Sequence, residues 1–221
     1  MQGSWGRRSA WRYLEPDPIW RTSRIRRRFR VTTTSRYKHP IAPNLLARRF
    51  APDDVTAIDR VYASDITYID TMEGWLYLAV ILDLRSRRVV GWSMSQSLEE
   101  SIVLDALRMA LLRRQPGRGV LHHSDRGSQY AGAAFQQLLK DHGMTCSMSR
   151  KGDCWDNAVV ESFNATIKTE LIHRKKWQTR EEARAAIYNW IESWYNRKRL
   201  HSTLGYRSPD DFEDEEERPA A

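Results

Sequence analysis

The sequence predicts an α/β fold in which a mixed β-sheet carries helices on its faces. Three observations lead there. Residues 61–95 hold three runs rich in β-branched and aromatic residues, separated by short breaks. Downstream, short apolar runs alternate with segments of helical period, the pattern of strands joined through helices. The chain has 221 residues, 41% of them hydrophobic, which is enough for one core of ordinary size and points to a single catalytic-sized domain with extensions.

Residues 1–54 read as a basic extension and linker. Residues 1–30 are rich in Arg and Trp, contain "EPDP" and lack a period, so they read as an irregular extension. The linker that follows has one short apolar anchor at Leu45, Leu46 and Phe50. Over residues 55–209 the pattern becomes regular. "VYASDITYI", "GWLYLAVILDL" and "RRVVGWSMS" break at Glu73-Gly74 and at Arg85-Ser86-Arg87, and are expected to form an antiparallel meander. Leu98 to Arg114 places Ile102, Leu104, Leu107, Leu111 and Leu112 at helical spacing until "QPG" stops it. "GVLHHS" is a short strand, "AGAAFQQLLKDHG" a helix closed by Gly143, and "MTCSMS" another strand. A long helix is expected from Trp155 to His173, with Val160, Phe163, Ile167 and Leu171 on one face. A last one runs from Thr179 to Asn196, behind a T-R-E-E capping box. Residues 210–221 read as an acidic tail.

The charge is uneven. Residues 1–50 hold 13 basic and 2 acidic side chains, residues 51–209 hold 22 and 19, and residues 210–221 hold 1 and 7. A basic arm on a near-neutral body implies an anionic polymer as partner; a solvated arm without a ligand is the alternative. No amphipathic apolar face accompanies the arm, which argues against a membrane surface. The longest apolar run, Trp75 to Leu82, is eight residues, too short to span a bilayer, and no secretory leader pattern opens the chain. The chain is therefore expected in the cytoplasm, with Cys146 and Cys154 reduced. A zinc site from His142, Cys146, Cys154 and His173 lacks any supporting C-x-x-C or H-x3-H pairing.

In an open α/β sheet, chemistry collects past the carboxyl ends of strands. Asp125 follows the fourth strand in "HHSDRGSQY", although "SDRGS" also reads as a plain turn. Asp65 lies within or near the end of the first strand, where aspartate is otherwise disfavoured. Glu161 projects from the long helix opposite Val160, Phe163 and Ile167, in line with Asn157 and Lys168. If the first and fourth strands are neighbours and the helix crosses them, three carboxylates converge, and such a cluster requires hard divalent cations, Mg²⁺ or Mn²⁺. Two ions about 4 Å apart can activate an attacking oxygen and stabilise the leaving oxygen of a phosphodiester. On spacing alone Asp70 and Asp83 are equally eligible as strand-end acids.

"SDITYI", "GWLYLAVILDLRSRRVVGWSMS", "HHSDRGSQY", "SRKGDCWDNAVVESFNATIKTEL" and "YNRKRLHSTLGYRSP" together resemble the integrase core of bacterial insertion-sequence transposases, in the group encoded by two overlapping reading frames. The resemblance covers residues 31–209 and implies the ribonuclease-H-like fold shared with retroviral integrases. It also implies a metal-dependent DNA strand-transfer activity. Asp65, Asp125 and Glu161 fall on the family's D, D and E positions, with 35 residues between the last two, and Asp83 becomes a structural residue at a strand end. These three are the expected catalytic residues and metal ligands. Gln129, Lys151, Asn157 and Lys168 become candidate DNA contacts, with Gly127 and Ser128 letting the loop approach the backbone. Asn157 is equally placed to orient the metal site or to cap the helix. Tyr195, Asn196, Arg199 and His201 match a family signature and are expected to pack under the active site. Trp190, Trp194 and Tyr188 are read as core aromatics.

Tyr62 stands where the family commonly has Trp, and residues 1–30 do not resemble the helix-turn-helix-like segment expected upstream of the core. The implied partners are DNA, both element ends and target, the upstream-frame product or a fusion with it, and further copies of the chain assembled on DNA. The competing reading is a catalytically silent DNA-binding remnant; the complete set of carboxylates argues against it and the unusual N-terminal stretch argues for it.

Overall fold

In the computed structural model, residues 40–151 and 154–216 are described, and all of them lie in one unit spanning residues 33–221. Residues 1–39, the expected irregular extension and the start of the linker, fall outside the described residues.

Five strands form one sheet in the order β3-β2-β1-β4-β5, where β1 is Val61–Thr71, β2 Gly74–Asp83, β3 Val89–Ser95, β4 Leu121–Ser124 and β5 Thr145–Met148. β1, β2 and β3 pair antiparallel as a meander, whereas β4 runs parallel to β1 and β5 parallel to β4. The first hairpin closes at Thr71↔Gly74, and Gly74 takes a φ of 103° that a side chain would strain. The second turn is organised by Asp83, fully buried, whose carboxylate accepts from the backbone N–H of Arg85, Ser86 and Asp59. This is the structural strand-end role expected for it.

Helices cover both faces, so the central strands are apolar on both sides rather than alternating. On one face, Ala63 and Ile69 of β1 and Leu76, Leu78, Val80 and Leu82 of β2 pack on Val160, Phe163 and Ile167 of α4 (Ala158–Glu170) and on Ile187 of α5 (Arg180–Asn189). On the other, Tyr62, Ala79 and Ile81 meet α1 (Glu100–Arg114) and α3 (Ala133–Asp141). A Cβ on Gly91 would lie 2.3 Å from the Ala106 carbonyl oxygen, so glycine lets α1 sit directly on β3.

Several boundaries depart from the sequence expectation. The helix expected over residues 131–143 is two pieces, α2 (Ser128–Ala131) and α3, because the Glu100 carboxylate occupies the space beside Gly132 and accepts from Phe135 N at 2.9 Å, capping α3. α4 is shorter than expected: a 3-10 turn, Cys154–Asn157, precedes it and another, Ile172–Arg174, follows. α5 continues into a π-helical turn, Trp190–Tyr195. In that wider turn Trp190 and Tyr195, five apart, share the buried face, while Trp194 rotates out. Trp194 and Tyr188 are therefore exposed rather than core, and Trp190 alone of the three is buried.

Residues 43–46 lie along the parallel edge of the sheet, and residues 50–55 reach the β2–β3 turn, where Arg87 donates to the Phe50 carbonyl and Arg85 to those of Pro52 and Val55. Leu46 is buried, Leu45 N donates to Ser147 Oγ on β5, and Met148 N donates to the Pro43 carbonyl. Of the expected anchor, Leu46 is the buried member and Leu45 is exposed. Residues 210–216 belong to helix α6 (Pro209–Glu216), which buries Phe212 and Glu213 and pairs Glu213 with Arg88 and Arg114.

Candidate active site

The parallel ladder between β1 and β4 ends at the pair Ser64↔Ser124. The next residue of each strand is an aspartate, Asp65 and Asp125, which places two carboxylates at matching register on neighbouring strands. β1 carries on past this point to pair with β2, so Asp65 sits inside a strand and Asp125 at a strand end. Asp125 is held in a tight turn by Gly127 N, which donates to its Oδ1 at 2.8 Å.

α4 lies over the same edge. Asn157, Glu161, Asn164 and Lys168 recur at intervals of 4, 3 and 4, one stripe of a helix. Two of them fasten it: Asn157 Nδ2 donates to the Ser64 carbonyl at 3.0 Å, and Asn164 Nδ2 donates to Asp65 Oδ2 at 2.8 Å. Glu161 lies between them, exposed at the rim. Burial raises its carboxyl above the ordinary range, and the Asp125 charge adds to this. Asp65 is pushed up to about 8, first by burial, then by Asp125, with a smaller push from Glu161. The Lys168 ammonium hangs 4.8 Å above the Tyr68 ring; burial lowers its pKa and the Asp65 charge opposes that.

Beneath the carboxylates, Tyr130 is buried, its phenol raised by burial and by the charges of Asp65 and Asp125, with His122 and Phe135 packed on its ring. The start of α4 is fixed by Asp156, which accepts from Arg150 N, Nε and Nη2, from Arg48 Nε and from Asn44 Nδ2. Those arginine contacts hold its carboxyl far below the usual range. His123 joins β4 to this turn, one ring nitrogen on Ser147 Oγ at 2.9 Å and the other on the Asp156 carbonyl at 2.8 Å.

An integrase core domain model matches residues 56–154 and a second integrase core domain model residues 142–209. The chain is 43% identical over 196 residues to an insertion element IS600 31 kDa protein of Shigella sonnei, covering 89% of this chain and 71% of that protein. It is 46% identical over 187 residues to the transposase InsF for insertion sequence IS3A of Escherichia coli, covering 85% and 64%. The chain belongs to the integrase-core family of insertion-sequence proteins. Solved structures agree on the fold. A chain of the simian T-cell lymphotropic virus intasome aligns with a TM-score of 0.61 at 16% identity, covering 83% of this chain and 62% of that one. The HTLV-2 integrase catalytic core domain, solved in complex with magnesium, aligns at 0.54 and 14%, covering 72% and 98%. The fold is ribonuclease-H-like, a mixed five-stranded sheet flanked by helices.

Within this integrase core, Asp65, Asp125 and Glu161 lie on one edge and feel one another's charge, although among the described residues no three acidic, histidine or cysteine side chains form a ready metal cage. Asn157 and Lys168 share that edge. Gln129 is turned elsewhere: its Nε2 donates to the Leu98 carbonyl at 3.1 Å and steadies the approach to α1. Lys151 is exposed, beside residues outside the described range. The signature near the C-terminus is structural, as expected. Tyr195 packs on Phe163 with its hydroxyl on the Arg87 carbonyl, Arg199 pairs with Glu170, and His201 packs edge-on against Tyr195. Asn164, Asp156 and Tyr130 were not singled out from sequence. Asn164 had a usable signal, its place on the Asn157–Glu161–Lys168 stripe.

Proposed function

We propose that this chain is a DNA transposase, catalysing divalent-metal-dependent phosphodiester cleavage and strand transfer, with Asp65, Asp125 and Glu161 as catalytic residues and metal ligands. The observation that carries the reading is the pair of aspartates at matching register beside Glu161, with Asp65 raised to about 8. Burial, and after it mutual repulsion, raises Asp65 and Glu161, so the three carboxylates form a site of excess negative charge that a cation would relieve. The donor set fits a hard ion. It is all oxygen, and the side-chain oxygens Asn157 Oδ1 and Asn164 Oδ1 are buried there without a donor.

Each residue has a definable task. Asn164 fixes one oxygen of Asp65, and Gly127 N fixes one of Asp125, so the remaining lone pairs have set directions. Asn157 ties the first turn of α4 to β1 and thereby sets the height of Glu161. Lys168 supplies positive charge for a phosphate near Asp65. Mg²⁺ or Mn²⁺, as two ions, would supply activation of the attacking water or 3′ hydroxyl and stabilisation of the leaving oxygen. The attack is in line and requires no covalent protein intermediate. Partners under this reading are DNA ends and target, the upstream-frame product, and further copies assembled on DNA.

The test is Asp125→Asn, which removes a negative charge and almost no volume. Mg²⁺-dependent nicking should fall by at least about 10²- to 10³-fold, the scale of deleting a charge-stabilising group. The thermal stabilisation that Mg²⁺ gives the unmutated chain should disappear with it. Retained nicking by purified Asp125→Asn protein would refute the assignment. Binding of DNA without any nicking by the unmutated chain would favour the silent DNA-binding reading instead.

A further inference from the structure

A second cavity opens where α4 ends. It is an open cleft of about 830 Å³, within the size range of ligand sites, and lies between the end of β1, the start of β2 and the turn after α4. Its aromatic wall is Tyr68 and Trp75, edge to face at 5.1 Å between ring centroids, with Trp177 buried nearby. Its cations are Lys168, Lys175 and Lys176. Lys175 sits 4.4 Å above the Trp177 ring and Lys168 4.8 Å above that of Tyr68. Lys175 is also ion-paired with Glu182, and Asp70 lies on the same lining, so Lys168 and Lys176 are the cations offered to an anion; a ring face orients the Lys168 ammonium without neutralising it.

The cavity neighbours the candidate active site: Lys168 lines it and also lies on the helix stripe that carries Asn157 and Glu161. Lys168 is two helical turns beyond Glu161, about 10 Å along the axis, or roughly three nucleotides at a rise of about 3.4 Å. Duplex DNA presents convex phosphate ridges and keeps its bases inside; it can touch the lysines on the rim but cannot fill an aromatic-walled hollow. An unpaired strand can do both, since its bases have free faces to stack and its phosphates stay outside.

We propose that this cavity is a subsite for unpaired DNA, taking a splayed base against Tyr68 and Trp75 and the adjoining phosphates on Lys168 and Lys176. The inference rests on the DNA-processing reading above and adds that the chain grips a single-stranded stretch a few nucleotides from the scissile bond.

The experiment uses the full chain without added divalent cation, so that no turnover enters, and two fluorescein-labelled probes read by anisotropy at fixed salt: an oligothymidylate of eight nucleotides and a blunt duplex. Trp75→Leu removes a stacking surface without changing charge, and Lys176→Glu reverses one exposed cation. Both variants should lose oligothymidylate affinity about tenfold or more, the scale of one base–aromatic stack, while Trp75→Leu should hold duplex affinity within about threefold. Circular dichroism checks that each is folded. Equal losses on both probes for Trp75→Leu, or no loss of oligothymidylate affinity in that folded variant, would overturn the subsite. If the unmutated chain nicks DNA in Mg²⁺ and Trp75→Leu spares oligothymidylate binding, the subsite falls and the transposase reading stands. If the selective loss is seen in a chain that never nicks, the subsite stands without that reading.

Discussion

Burial and two neighbouring carboxylates hold the Asp65 pKa at about 8, against 3.8 as an ordinary carboxyl, so between these values the metal-free folded chain binds a proton that the unfolded chain does not. Stability contributed by this group is present at low pH and is lost as pH rises towards 8. His122 acts in the opposite sense. Burial lowers it from 6.5 to about 3, with the His123 charge adding to the effect, and His123 itself is lowered by burial, so stability falls as pH drops below about 6.5. Metal-free protein should therefore be most stable near pH 6.5. From there to pH 8 it should lose about 1 kcal/mol; a full titration is worth about 2 kcal/mol over that span, and Asp65 keeps some solvent contact. Urea unfolding at several pH values measures it, and Asp65→Asn should flatten the alkaline limb. An unflattened limb would mean another group carries it. The same residues mark how far sequence reached. Placement offered Asp65 and Asp125 at strand ends and Glu161 on a helix face but left Asp70 and Asp83 equally eligible, and the motif resemblance made the choice. Asn164 did not stand out: its place on the Asn157–Glu161–Lys168 stripe was readable, but its contact with Asp65 depends on the strand it meets. Asp156 is paired by Asn44 and Arg48, about 110 positions upstream, as well as by nearby Arg150.

At the scale of elements, the site depends on how rigidly α4 and the strands are tied together. Phe163 packs against both Trp190 and Tyr195, so the π-helical turn supports α4 from below. The next residue, Asn196, is buried and completes the start of β3 as a strand neighbour would: its Oδ1 accepts from Val89 N at 2.9 Å and its Nδ2 donates to the Val89 carbonyl at 3.1 Å. Asn196→Ala leaves two backbone groups unpaired in a closed interior, which should cost about 2 to 4 kcal/mol and lower Tm by on the order of 10 °C. Differential scanning calorimetry would decide it, and a shift below about 2 °C would show that water replaces the amide. The strands and helices themselves were legible, the strands from their β-branched and aromatic content between short breaks and the helices from their apolar period. The π-helical turn was not: residues 190 and 194 share a face of an α-helix, and only the wider turn exchanges Trp194 for Tyr195.

Over the whole molecule, charge is distributed in a way the sequence indicated only in outline. The acidic stretch after residue 209 reads as a tail, yet its first part neutralises the core's own arginines: Glu213 pairs with Arg88 and Arg114, and Glu216 with Arg85. No local period signals such pairing, because the partners lie about 100 or more positions away. Those arginines are committed to holding α6 on the sheet and have little left for phosphates. The excess positive charge for DNA then falls mainly to residues 1–30, with nine arginines against two acids, and to the lysines of α4 and the turn after it. Each phosphate neutralised adds about 0.9 to the slope of log K against log salt. Deleting residues 1–30 should therefore lower the steepness of that slope for a random-sequence duplex by at least about 2, while leaving the Mg²⁺-induced thermal stabilisation of residues 33–221 in place. Anisotropy titrations between about 50 and 200 mM salt would measure it. A slope unchanged by the deletion would assign DNA binding to the core alone, and the lysines around α4 would then be the next to substitute.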